Sequence, residues 1–328
     1  MKYTRSEAKT WVRSSLRGHM IVATTPFKPD LEVDYDGLKR NVEQMIRTPG
    51  VTAGIYVGSV YQEFWTLTLE ERKRVAGTIL ETVAGRVPVL VGVSHTSYRD
   101  AIDLAKHAQA GGADLVMAWP PYYGPRSAEG MQAFFRRLAD AVDIGICTYS
   151  STLSELGYYL TPEEVAKLAE IDTVCAVKEA SLSLDKYSAM MMEAGHLLAI
   201  SSPLEEYHLY GLEAFGPEIM PRFLFGSSRP LYMQSAHKPH CADFMQAVER
   251  GDLPAARKAL QDILRVANQL HSKYLGKGQH NVSLTKYLSG LTGMATGPVR
   301  PPLSAPSAQE IAWATDILRN EGLLPSGT

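Results

Sequence analysis

Eight short apolar runs recur along the first two thirds of the chain, and none of them alternates with polar residues. They are "HMIVATTP" (19–26), "TAGIYVGS" (52–59), "VPVLVGVS" (87–94), "ADLVMAWP" (113–120), "DIGICTYS" (143–150), "TVCAVKEA" (173–180), "HLLAISSP" (196–203) and "IMPRFLFGSS" (219–228). A half-buried strand alternates, whereas a strand covered on both faces reads as a continuous run, the pattern of parallel sheets. Amphipathic segments separate the runs. "SAEGMQAFFRRLADAV" places Met131, Phe134, Phe135, Leu138 and Val142 on one helical face. "TPEEVAKLAE" offers Thr161 as N-cap and Pro162 at the first helical position, and the helix of "SHTSYRDAIDLAKHAQAGGAD" closes at Gly111 and Gly112. Eight strand–helix units in about 220 residues predict an α/β fold, a (β/α)8 TIM barrel. A doubly wound open sheet is the other arrangement with this rhythm, but no run leads into a GxGxxG turn.

Beyond about residue 240 the strand signal stops. "PAARKALQDILRVANQLHSKYL" repeats Ala256, Leu260, Ile263, Leu264, Ala267 and Leu270 at helical spacing, and "VSLTKYLSGL" and "SAQEIAWATDILRNEG" read as two further helices. The expected organisation is a short N-terminal helical extension (1–18), a catalytic barrel (19–240) and a C-terminal helical region (241–328), with the Pro-rich "TGPVRPPLSAPS" inside the last.

Composition narrows the class of partner. A formal net charge of −2 and the lack of a basic run argue against nucleic acid or an anionic membrane. No apolar stretch approaches the roughly 20 residues a membrane span needs. The N-terminus has no apolar core before Ile21, which speaks against a secretion signal. Cys147, Cys175 and Cys241 lack metal-type spacing and read as reduced, buried residues of a cytoplasmic protein.

In a (β/α)8 barrel the reactive groups lie at the C-terminal ends of the strands. Those ends here offer Ser59, Tyr122 and Tyr123, Tyr149, Lys178 and the 226–229 loop. Lys178 stands out, because an ammonium in a buried strand is costly unless it is paired or loses its proton. One reading has it snorkel from the strand end and pair with Glu179. The other makes it a desolvated amine that attacks a ketone to form a Schiff base. Tyr149 ends the preceding strand and so lies beside it, about 5 Å away at backbone level, where a phenol can relay protons. Ser59 follows a glycine at a strand end, a place for its hydroxyl and nearby N–H groups to hold a carboxylate.

Several motifs taken together, "PPYYGPRSAEG", Tyr149, "VKEAS" and "GPVRPPL", resemble the dihydrodipicolinate synthase / N-acetylneuraminate lyase family. The resemblance runs from about residue 19 to about 323 and includes "LTLEERKRV" and "GDLPAARKAL". It implies a (β/α)8 class I aldolase or lyase, commonly a homotetramer built as a dimer of dimers. It further implies Lys178 as the Schiff-base lysine and Tyr149 as the proton-relay tyrosine. Tyr123 is similar to the family tyrosine that in some members reaches a neighbouring subunit's site. The family needs no cofactor and no metal, since the iminium itself is the electron sink.

The departures are equally informative. The family's Gly-Thr-Thr-Gly-Glu-like turn, which grips the pyruvate carboxylate, is replaced by "GSVYQEF". Ser59 keeps a hydroxyl, Val60 loses one, and Gln62 and Glu63 compete for the place of the family glutamate. The usual Tyr-Asn-x-Pro is "YSSTLSELG" here, and no arginine occurs between Tyr149 and Lys178. Members that make dihydrodipicolinate carry such an arginine for the second substrate's carboxylate, so that activity is not expected. Ser228 and Arg229, at the end of the last run, are candidates for a distal carboxylate, or else Arg229 is solvated at the barrel mouth. Tyr61, Phe64 and Trp65 suit either a bulky substrate or a subunit interface. His237 and His240 in "HKPHC" have a spacing that fits a metal, but no carboxylate is evident beside them, and no metal is expected. The leading expectation is a lyase acting on pyruvate or a substituted 2-oxo acid through Lys178. A dehydratase of 2-keto-3-deoxy sugar acids or a cyclic imine deaminase would use the same lysine, and a catalytically silent binding protein is the remaining alternative.

Overall fold

The computed structural model describes residues 2–153, 158–275, 277 and 279–324. The positions outside that set include 154–157 of the "YSSTLSELG" motif and the last four residues of the expected C-terminal region. In chain order the elements are α1 (Ala8–Ser15), β1 (Gly18–Val22), α2 (Tyr35–Arg47), β2 (Gly54–Val57), α3 (Leu69–Val83), β3 (Val89–Gly92), α4 (Tyr98–Ala110), β4 (Leu115–Ala118), α5 (Ala128–Ala141), β5 (Gly145–Ser151), α6 (Pro162–Leu168), β6 (Val174–Ala180), α7 (Leu184–Ala194), β7 (Ala199–Ser201), α8 (Glu205–Phe215), β8 (Phe223–Ser227), α9 (His240–Glu249), α10 (Leu253–Leu275), α11 (Val282–Leu291) and α12 (Ala308–Asn320). The eight strands form one parallel sheet in the order β7-β6-β5-β4-β3-β2-β1-β8, the TIM-barrel fold, followed by C-terminal helices. Six of the strands lie inside their apolar runs, and β1 and β5 each extend one residue beyond theirs. Among the described residues no helix is long and apolar enough to cross a membrane.

The chain divides into two compact units. The first comprises Met1–Arg17 and Pro88–Phe225. Its strands β5 and β6 are buried at every position, as their continuous apolar runs require. Ser201 Oγ donates to Phe223 O at 2.7 Å and Phe225 N–H to Ser202 O at 3.3 Å, which ties β8 to β7. The helices start at side-chain caps: Ser97, Ser127, Thr161 and Ser183 each accept a backbone N–H of the first turn. Helix ends are met by α1 and the short turn before it. Arg5, Lys9 and Arg13, four residues apart on one face, donate to Ala139 O and Val142 O, to Ala169 O, and to Gly195 O and Leu198 O. These carbonyls lie at the C-terminal ends of α5, α6 and α7, where cations are favoured. Tyr3 reaches the N-terminal ends of the strands; its hydroxyl donates to Asp114 O and accepts from Gly145 N–H. A Cβ at Gly145 would lie 2.8 Å from that hydroxyl, so the position has room only for glycine.

The second unit comprises Gly18–Val87 and Gly226–Thr328. Here β1 pairs with β2, and α2 and α3 start at Asp34 and at the Thr68/Glu71 capping box. "GPVRPPL" is a clamp on this unit. Gly297 has φ 76° and packs so closely on Phe27 that a Cβ would lie 1.8 Å from Phe27 O. Arg300 forks onto Glu71 at 2.6 and 2.9 Å and also donates to Leu31 O and Thr66 O.

Candidate active site

Lys178 belongs to β6, and a bulge chooses its neighbour. Ile146 pairs with Val174, but Cys147 pairs with Ala176, which makes Cys175 the extra residue. Every later pair is shifted by one, so Tyr149 opposes Lys178 instead of Val177. Residues opposite each other in a parallel pair share a face, and the shift therefore brings phenol and amine to the same side. Lys178 Nζ lies 4.8 Å from the centroid of the Tyr149 ring. Trp119, the first residue past β4, places its indole 5.0 Å from that ring at 31° and donates its backbone N–H to Ser94 Oγ at 2.9 Å. The three side chains are buried: Lys178 is 4% exposed, Tyr149 3% and Trp119 5%.

Burial alone pushes the Lys178 amine down from its ordinary 10.5 to about 7. At neutral pH roughly half of it is therefore unprotonated, the form that attacks a carbonyl. The pair with Glu179 does not form. Successive residues of a strand point to opposite faces, and Glu179 instead accepts the Ser181 N–H at 3.0 Å. Desolvation raises the Glu179 carboxyl to about 7. On the other flank Lys178 pairs in register with Ser201, whose hydroxyl proton is used on Phe223 O.

The turn after β2 belongs to the second unit. Ser59 precedes a short 3-10 turn over Val60–Gln62, and Glu63 follows in the left-handed region at φ 56°. The two residues that compete in the sequence have separate tasks. Glu63 is fully buried and pairs with Lys286 Nζ at 2.8 Å while accepting Arg300 N–H at 3.0 Å. Gln62 folds back so that its Oε1 accepts the Gly58 N–H, and Thr25 Oγ1 donates to Gln62 O at 2.8 Å. Ser59 Oγ and Gln62 Nε2 are buried without a hydrogen-bond partner among the described residues. Val60 is buried beside them. Also in this unit, Tyr61 and Thr285 both donate to Asn281 Oδ1, at 3.5 and 3.1 Å, leaving Asn281 Nδ2 as a third buried donor without such a partner.

At the end of β8 the Ser228 hydroxyl lies 3.5 Å from His271 Nε2, which also meets the Tyr232 hydroxyl at 2.6 Å. Arg229 is only 2% exposed, so it is not the solvated arginine that its position at a barrel mouth suggested. Phe64 packs edge-on against Trp65 and under the Arg72 guanidinium, 5.0 Å from its ring centroid, and is no free aromatic wall. Tyr123 stands apart from every other candidate: it is 84% exposed. Within the first unit the structure joins Lys178 to Tyr149 and adds Trp119; within the second it pairs Glu63 with Lys286 and folds Gln62 back on Gly58, contacts the sequence had not singled out. Trp119 was hidden as the apparent tail of an apolar run, and Lys286 as one polar residue on an amphipathic helix.

The chain matches the Dihydrodipicolinate synthetase family over residues 15–320. The 4-hydroxy-tetrahydrodipicolinate synthase of Pelobacter propionicus is 30% identical over 315 residues, 94% of this chain and 99% of that protein. The enzyme of the same name from Methanopyrus kandleri is 30% identical over 314 residues, 95% and 98% of the two chains. Among solved structures, a dihydrodipicolinate synthase superposes with a TM-score of 0.81 at 26% identity, over 94% of this chain and 100% of that one. A prophage protein of E. coli K12 from that family, solved in complex with pyruvate, shares the fold at a TM-score of 0.81 and 24% identity, over 94% and 99%.

Proposed function

The chain belongs to the dihydrodipicolinate synthetase family of Schiff-base, class I aldolase-type lyases, and from that premise we propose that it acts on pyruvate or a substituted 2-oxo acid through Lys178. The neutral amine adds to the ketone carbon, and the carbonyl oxygen takes up a proton to give a carbinolamine. Loss of water leaves an iminium, and the electron pair of a bond at the adjacent carbon flows into it to form an enamine. Tyr149 is assigned the proton transfers, because its ring is held against the amine. Ser59 is assigned to the substrate carboxylate together with the backbone at Val60, and Gln62 Nε2, buried without a hydrogen-bond partner among the described residues, is a donor suited to an anion. Ser228 and Arg229 are assigned to the distal part of the substrate by their place at the end of β8. Tyr123, exposed on a single chain, suits a role across a subunit interface in a homodimer or a dimer-of-dimers tetramer.

The absence of an arginine between Tyr149 and Lys178 favours a partner other than the one used in lysine biosynthesis. What supports the whole reading is the single observation that Tyr149 opposes a buried Lys178. Borohydride reduction in the presence of pyruvate, followed by intact mass and peptide mapping, tests it. The expected result is one reduced pyruvate on Lys178. A folded protein that traps neither pyruvate nor larger 2-oxo acids would refute the amine chemistry. Product analysis then separates the reactions: pyruvate plus an aldehyde marks an aldolase, and an unsplit skeleton marks a dehydratase or deaminase.

A further inference from the structure

We infer that Trp119 is a positioning residue for the Schiff-base pair: its indole, stacked on the Tyr149 ring, holds the phenol over the Lys178 amine and keeps water from that amine. The inference rests on the lysine chemistry proposed above and adds the group that makes it work. All the observations lie in the first unit. Trp119 is the first residue after β4, and its backbone is pinned because its N–H donates to Ser94 Oγ at 2.9 Å. An indole fixed at the root and buried to 5% exposure has little freedom. Its ring meets Tyr149 at 5.0 Å and 31°, within the range of an attractive offset pair. Tyr149 in turn lies 4.8 Å from Lys178 Nζ, so indole, phenol and amine form one contiguous row on three successive strand ends. A phenol that must face first the nitrogen and then the substrate is sensitive to rotation, since a displacement of about 1 Å costs on the order of 10²-fold in rate.

The same row dries the amine. On β6 and the two strands paired with it, the titratable residues near Lys178 in register are Tyr149 and Cys147 on β5 and Cys175 and Glu179 on β6, and β7 carries none. Glu179 faces away and the two buried thiols are free cysteines, so no charged neighbour among these accounts for the state of the amine. Burial does, and the Trp119–Tyr149 stack is the aromatic part of that burial.

Two readouts with pyruvate as the probe separate this role from a merely structural one. The first is borohydride trapping on Lys178 as a function of pH. The second is exchange of the pyruvate methyl protons with solvent deuterium, which needs the proton relay as well as the iminium. Trp119→Ala is expected to move the trapping midpoint upward by about one pH unit or more, which slows trapping about fivefold or more at neutrality. It is also expected to slow exchange on the order of 10²-fold. Trp119→Phe, which keeps an aromatic face, should retain the midpoint and most of the exchange. A folded Trp119→Ala protein with the wild-type midpoint and exchange rate overturns the inference. Should Trp119→Ala not fold, Trp119→Leu decides: apolar bulk preserves the midpoint, exchange falls, and wild-type exchange overturns the inference. The premise fails separately, because a wild-type protein that never traps pyruvate or a larger 2-oxo acid refutes the lysine chemistry before any Trp119 variant is read.

Discussion

Replacing Lys178 with methionine should stabilise the protein, and by an amount that depends on pH. Methionine is an unbranched apolar chain of similar length, so it fills the site without a charge to desolvate. The unfolded chain holds the Lys178 proton up to its ordinary 10.5, while the folded protein releases it near 7. Between these values the unfolded state binds more protons, so wild-type stability rises with pH across that window. Below about 7 both states are protonated and the penalty is complete. The gap, at about 1.4 kcal/mol per pH unit, amounts to about 5 kcal/mol. Above 10.5 both states are neutral and the penalty vanishes. Urea unfolding of wild type and Lys178→Met would read the difference directly. At a pH of about 6 the variant should be more stable by about 5 kcal/mol, shrinking to about 1.5 kcal/mol near pH 9.5. A difference that does not change with pH would mean that the amine is protonated in the fold, and the argument for a ready nucleophile would fall.

Other substitutions probe the neighbours. Glu179 keeps its proton in the folded state up to about 7 against an ordinary 4.5, so its contribution is lost as pH rises through that window. Glu179→Gln should therefore add about 3 kcal/mol of stability at pH 8 and almost nothing at pH 4.5, measured by the same urea titration. Lys286→Met strands a buried Glu63 carboxylate and should cost about 3–5 kcal/mol, most of it recovered in the double variant with Glu63→Gln. Tyr149→Phe keeps the ring against Lys178 and Trp119 but removes the proton carrier. Trapping of pyruvate should persist, and deuterium exchange of its methyl protons should fall by about 10²–10⁴-fold; unchanged exchange would remove Tyr149 from the relay.

The barrel was legible because its signals are local. A strand covered on both faces must be apolar throughout, and all eight runs became strands, only β1 and β5 passing the end of a run, each by one residue. Thr161 with Pro162, and Gly111 with Gly112, marked helix ends by capping chemistry that needs no distant partner. What "GPVRPPL" does was illegible for the opposite reason. Gly297 is required by the Phe27 backbone and Arg300 by Glu71, partners more than two hundred residues away, and nothing in the motif names them. The "GSVYQEF" turn was ambiguous on the same grounds. Gln62 and Glu63 look alike in sequence, and only Lys286 decides which of them is drawn into the buried ion pair.

The Lys–Tyr pair lies between these cases. Two residues at adjacent strand ends were enough to nominate Lys178 and Tyr149, yet their meeting depends on one residue the pattern does not reveal. Continued from Ile146–Val174 without a break, the register would set Tyr149 against Val177. Lys178, the next residue along, would then face the other side of the sheet from the phenol. Cys175 removes that mismatch by taking no partner in the ladder, at a place where its small side chain rests against Ile146 O. A bulge has no composition signal, because it is a count of residues between two strands and not a property of either. Adjacent strand ends therefore predicted which residues are neighbours, and the bulge determined that they share a face; the chemistry proposed here needs both.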